Sequence, residues 1–172
     1  MNTPDHAIAD REEPGSSNEP DVPLEPTINC ETDLDAPDVD PAWLHARIES
    51  ALPHLSRTVE RITIRIVDDA EMIDLHTRYH EDPTTTDVLT FEGTSEPMPL
   101  EVDIAVCVDE ARRQSANRTH DVNSELLLYV VHGLLHCSGH DDHDAEAHVS
   151  MHAEEDRILK AIGVGSIYGG DS

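Results

Sequence analysis

Two histidines four residues apart, His132 and His136, close the most continuously apolar run in the chain, Leu126-Leu-Leu-Tyr-Val-Val131. On a helix that spacing puts both rings on one face, where their nitrogens can converge on one metal ion. Gly139 stands where a helix turns back through a left-handed residue. The returning segment then carries His140, Asp141, Asp142 and His143 in a row. A histidine pair, a glycine turn and a third ligand make a tripod with an open fourth position, which is the arrangement of catalytic zinc. The chain has twelve histidines, so the blander reading is a buried helix end with incidental rings. Spacing, glycine and returning acid together favour one bound ion.

Other chemistry-bearing residues carry weaker signals. His148 and His152 repeat the four-residue spacing but lack the glycine turn and third ligand, so they read as surface histidines. Cys137 follows His136, yet neighbouring helical residues point about a hundred degrees apart. Glu125, seven residues before His132, shares its face and either reaches the site or favours the helix start. Asp103 either orients a metal-bound histidine or caps a strand start. Arg112, Arg113 and Arg118 are the one basic cluster, better read as a solvated helix face than as an RNA contact.

The elements that must position these residues alternate. Asp40-Pro41 opens a helix with Leu44, Ile48 and Leu52 on one side. Ile62, Ile64 and Ile66 alternate with polar neighbours as a half-buried strand. A helix is expected from Ala70 to about His80, a loop at Asp82-Pro-Thr-Thr-Thr, and strands at Val88–Phe91 and Val102–Val108, the second of the buried type. A short helix follows over Asp109–Ala116. Asp121 to Glu125 carry the start signals of the central helix. Asp144 caps a last helix stopped by Gly163. The segment Pro26–Cys30 reads either as a first strand or as part of a loose leader. The order predicts an α/β fold: a small mixed sheet covered by helices, mainly on one side, with the metal site at the end of a central buried helix.

With 172 residues the chain has one domain's worth of core, which must be aliphatic because aromatics make up only 3%. Residues 1–40 hold twelve acids, one arginine and six of the eleven prolines, and read as a disordered acidic extension. Residues 41–163 form the expected domain and 164–172 a flexible tail. No stretch is long and apolar enough for a membrane span, and no signal peptide opens the chain. Three cysteines without paired spacing fit a reducing, cytoplasmic setting. The net charge of −26 argues against strong autonomous grip on RNA phosphates.

The motif His132-Gly133-Leu134-Leu135-His136, with Gly139 and a ligand ten residues after the first histidine, resembles the signature of the YbeY family, H-G-x-L-H-x-x-G-x-x-H. Asp142 stands where that pattern has its last histidine, and His143 lies one residue later. Asp142 in register is the first candidate for the third ligand and His143 the second. Leu75, Tyr79, Thr86, Asp87, Val88, Leu89 and Phe91 match a second family segment, in which His80 replaces an arginine. Glu101-Val102-Asp103-Ile104 resembles a third, with Val102 where glycine is usual.

The resemblance covers roughly residues 40–160. It implies a single-strand-specific, zinc-dependent endoribonuclease of rRNA maturation, processing the 3′ end of small-subunit rRNA and serving ribosome quality control. It also implies one Zn2+, an RNA substrate and association with the small ribosomal subunit or its proteins. Gly133 occupies the position where H-E-x-x-H proteases carry their base, which argues against peptide hydrolysis. The same glycine leaves His80, His140 or His143 as candidate bases. Two alternatives stay open: a ribosome-assembly binding factor whose metal is structural, and a metallohydrolase with another substrate.

Overall fold

The computed structural model describes residues 25–168. Elements run β1 (Thr27–Glu31), α1 (Pro41–Ala51) with a one-turn extension Leu52–His54, β2 (Val59–Val67), α2 (Asp69–His80), β3 (Val88–Glu92), β4 (Leu100–Cys107), α3 (Val108–Ser115), α4 (Val122–Cys137) and α5 (Ala145–Ala161). Short acids set most helix starts. Asp40, Asp68, Asp121 and Asp144 each accept hydrogen bonds from main-chain N–H groups of the first turn.

The sheet order is β1-β2-β4-β3. β1, β2 and β4 are parallel, and β3 returns antiparallel along β4. Because strand side chains alternate, β2 and β4 split their residues between two faces. Ile62, Ile64 and Ile66 join Val102, Ile104 and Val106 on the face that carries α1, α4 and α5. Val67, Ala105 and Cys107 look the other way, into a smaller cluster with Met72 of α2 and Leu89. The sheet is mixed and its main core lies on one side.

Helix α4 is the centre of that core. Its buried residues run without a break from Glu125 to Val131 and resume at Gly133–Leu135, so most of its circumference is out of water. Each fully buried leucine or valine there is worth about 1.5–3 kcal/mol relative to exposure. The weight of this burial falls on the helix that carries His132 and His136, which fixes their backbone rigidly against the sheet.

Two domain edges differ from the sequence expectation. β1 pairs with β2 from Thr27↔Arg61 to Glu31↔Arg65, and Asp38 forms an ion pair with Arg112, so the fold begins well before residue 41. Parallel pairing of β1 needs partners far along the chain, which composition does not show. At the other end, residues 164–168 turn back over α5 instead of leaving it. The Ile167 N–H donates to Asp156 at 3.0 Å, and Val164 and Ile167 pack on the core. The remaining part of the expected acidic extension, residues 1–24, lies outside the described residues. No helix among the described residues is long and apolar enough to cross a membrane.

Candidate metal centre

The site begins with how α4 ends. Gly139 has φ +90°, a left-handed value that costs other residues strain. Its N–H donates to the His136 carbonyl at 3.1 Å, and the His140 N–H donates to the Leu135 carbonyl at 3.0 Å. This paired closure is the Schellman arrangement, and it reverses the chain at once. The reversal carries Asp142 back over the last turn of the helix.

There Asp142 meets both histidines. Asp142 Oδ2 lies 3.8 Å from His132 Nε2, and Oδ1 lies 3.7 Å from His136 Nε2. The two Nε2 atoms are 3.0 Å apart. Donors bound at about 2.0–2.2 Å around a tetrahedral ion sit roughly 3.3–3.5 Å from one another, a range that the three separations bracket to within about 0.3 Å, close enough for one small cation to draw them in.

The outer nitrogens decide the chemistry of the inner ones. His136 Nδ1 faces the His140 carbonyl at 3.1 Å, and His132 Nδ1 faces Glu155 Oε1 at 2.6 Å. A carbonyl only accepts, so His136 Nδ1 carries the proton, and an ionised Glu155 requires the same of His132 Nδ1. In the neutral rings, both Nε2 atoms then present bare lone pairs to each other. Two lone pairs and a carboxylate converging on one point repel unless a cation stands between them. The donor set therefore fits a divalent ion, and its remaining position would be open to water or substrate.

Glu155 is the residue that sequence reasoning missed. It is fully buried on α5, and its second oxygen, Oε2, has no hydrogen-bond partner among the described residues. A buried carboxylate with one oxygen unsatisfied is costly, and a positive site beside it relieves that cost. Burial works against a charged His132 ring, but Glu155, then Asp87 and Asp142, outweigh it and raise the His132 pKa above its ordinary value. The only local clue in the sequence was an acid near the middle of the last helix.

A cleft of about 530 Å3 opens beside the cluster. Thr85, Thr86 and Asp87 line it, together with Glu110, Gln114 and Arg118 and with His148, His152 and Tyr168. Glu125, Tyr129, His132 and Asp142 line its floor. Glu125 is buried and held by Arg118 at 3.2 Å and by the His120 ring, so it belongs to the cleft rather than only to the helix start. Asp87 accepts from the Val88 N–H at 2.8 Å and the Thr86 hydroxyl at 3.1 Å, which fixes its carboxylate. Burial, then the Glu125 charge, raises the pKa of the Tyr129 phenol.

Other expected residues lie elsewhere. The His143 side chain is 87% exposed and turns to Asp141 at 3.3 Å. Asp141, Asp142 and His143 do form a second close group, but two of the three are exposed. His80 is exposed at the end of α2 with its ring tilted against His76, and neither it nor His140 lines the cleft. His140 touches the cluster through its main-chain carbonyl. Asp103 does not orient a ligand. It lies on the face of β4 opposite Val102 and Ile104, where it pairs with Arg61 at 2.6 Å.

Gly133 faces the sheet, and a Cβ there would lie 2.5 Å from Thr90 Cγ2. The position of a protease base is thus taken up by close packing of α4 on β3. Among the described residues every arginine except Arg47 is paired with a carboxylate, including Arg112, Arg113 and Arg118.

Sheet, central helix and converging side chains define a small α/β protein built around a His-His-Asp cluster in an open cleft. Comparison with known proteins gives this class a name. The Endoribonuclease YbeY family profile matches residues 33–163. Endoribonuclease YbeY of Synechococcus sp. (strain CC9311) is 33% identical over 137 residues, covering 73% of this chain and 76% of the relative. Endoribonuclease YbeY of Nostoc sp. (strain PCC 7120 / SAG 25.82 / UTEX 2576) is 32% identical over 136 residues, covering 71% and 72%. The chain belongs to the YbeY family. The solution structure of TM1509 from Thermotoga maritima shares the fold, with a TM-score of 0.56 at 21% identity, over 79% of this chain and 89% of that one.

Proposed function

We propose that this protein is a zinc-dependent endoribonuclease that cuts single-stranded RNA, with His132, His136 and Asp142 as the metal ligands. The observation that carries the reading is the pair of facing Nε2 lone pairs, whose orientation is set by Glu155 and the His140 carbonyl. A divalent ion held there would lower the pKa of a bound water toward neutrality and polarise a phosphoryl oxygen.

The chain's own residues do the rest. Glu155 keeps His132 in the tautomer that binds, and its charge makes that ring a stronger donor. The His140 carbonyl does the same for His136. Asp87 is the proposed proton acceptor for the attacking water. It lines the cleft, while Glu125 is tied up by Arg118 and Glu110 by Arg113. The three ligands and Glu155 together bring two negative charges to a doubly charged ion, so the loaded site is close to neutral.

Family membership supports RNA as substrate, and we place the reaction in rRNA maturation at the 3′ end of small-subunit rRNA, in ribosome quality control and in the cytoplasm. The test is to map fragments from a precursor carrying that 3′ end, alone and annealed to a complementary strand. Cuts confined to the unpaired precursor support the assignment. Equal cutting of the duplex contradicts it. The pairing of nearly every arginine favours a second reading, a ribosome-assembly factor with a structural metal, whose acidic surface meets basic ribosomal proteins. Tight binding to small subunits with no cleavage would select it.

A further inference from the structure

The cleft lining includes a column of flat groups. The guanidinium carbon of Arg118 lies 5.6 Å from the Tyr168 ring centroid. Tyr168 stacks on His152 with centroids 3.7 Å apart and planes 11° from parallel. His152 in turn meets His148 at 4.0 Å, the two rings tilted by 57°. All four line the same cleft as His132 and Asp142. Tyr168 comes from the segment that folds back after α5.

The column is tied to the candidate metal centre by helix geometry. His148, His152 and Glu155 are spaced four and three apart, so α5 presents them as one stripe. Their exposure grades along it. Glu155 is fully buried against His132, His152 is half-buried, and His148 is exposed at the mouth. Tyr168 and His152 each have two neighbours within the column, and the exposed ring of His148 is its free end.

Charge gives the column its purpose. The cleft also holds Glu110, Glu125 and Asp87, and its one arginine, Arg118, is paired with Glu125. Such a lining repels phosphates, so single-stranded RNA cannot be held there mainly by counterion release. Stacking of an unpaired base on an aromatic face is indifferent to charge and tolerant of sequence. We infer that the Arg118–Tyr168–His152–His148 column is a nucleobase-stacking subsite, in which an unpaired base of the substrate lies on the outer face of His148. This rests on the proposed RNA substrate.

The test measures binding of two short 2′-O-methyl RNAs, which keep bases and phosphates but resist cleavage. They are alike except for one internal abasic nucleotide, whose position is walked along the strand. The expected result is that, at one position, the intact strand binds wild type about tenfold or more tightly than its abasic partner, in keeping with one stacked base. His148→Ala removes that preference, and His148→Phe, which restores a flat face, returns it. His148 is exposed, so both variants are expected to fold, and thermal melting confirms it. A preference unchanged by His148→Ala and by Tyr168→Ala overturns the subsite while leaving the RNA reading intact. Failure of wild type to bind any single strand overturns both.

Discussion

Glu155 Oε1 lies 2.6 Å from His132 Nδ1 across 23 positions of sequence, and this contact joins the last helix to the candidate metal centre. It fixes the ring's tautomer and leaves Nε2 free to ligate. Glu155→Gln keeps the shape and removes the charge. The expected outcome is metal affinity weakened about 10–100-fold, measured by competition with a coloured chelator. Affinity equal to wild type would remove Glu155 from the account.

The third ligand separates by substitution. Asp142→Ala is expected to lose bound metal on gel filtration, whereas His143→Ala keeps it, because the His143 side chain is 87% exposed and turned to Asp141. The reverse pattern in elemental analysis would reassign the ligand to His143.

Gly133 allows α4 to approach β3 closely. Gly133→Ala sets a methyl 2.5 Å from Thr90 Cγ2, and overpacking of this kind costs about 1–3 kcal/mol. Thr90→Ser deletes that methyl. The double variant is expected to recover part of the loss in urea denaturation, a coupling that independent sites would not show.

A pH effect is expected at Asp69, which does not itself line the cleft. The Arg113 guanidinium, assisted by Cys107 and Thr85, holds the Asp69 carboxyl down at about 2, against the opposing pull of burial. The folded pKa is below the unfolded one. The contribution to stability is therefore fully present above the ordinary aspartate value near 4 and disappears as pH falls through about 2. Asp69→Asn should cost about 1 kcal/mol at pH 7, the upper range for a pair this exposed. Denaturation midpoints of variant and wild type should then converge between about pH 4 and pH 2. A gap that stays constant with pH would assign the loss to something other than charge.

The local parts of the site were legible because they follow from helix geometry. Spacing of four aligned His132 with His136, and Gly139 announced the reversal that delivers Asp142. The strand alternation that buried Val102 and Ile104 also placed Asp103 on the opposite face, and this signal argued against its suggested role at the metal. Glu155 and Tyr168 were beyond reach for a different reason. Their contacts depend on how α5 packs across α4 and where the chain returns after Gly163, which no local pattern encodes. β1 was ambiguous because a parallel edge strand takes its partners from thirty-odd residues away.

A metal held by His132, His136 and Asp142 is proposed to cut RNA. The most direct measurement is cleavage of single-stranded RNA by the purified protein, with and without chelator, alongside His136→Ala. The expected result is cleavage by wild type that chelator abolishes, that added zinc restores, and that His136→Ala lacks under every condition. Undiminished cleavage by folded His136→Ala, or by wild type stripped of metal, would contradict it.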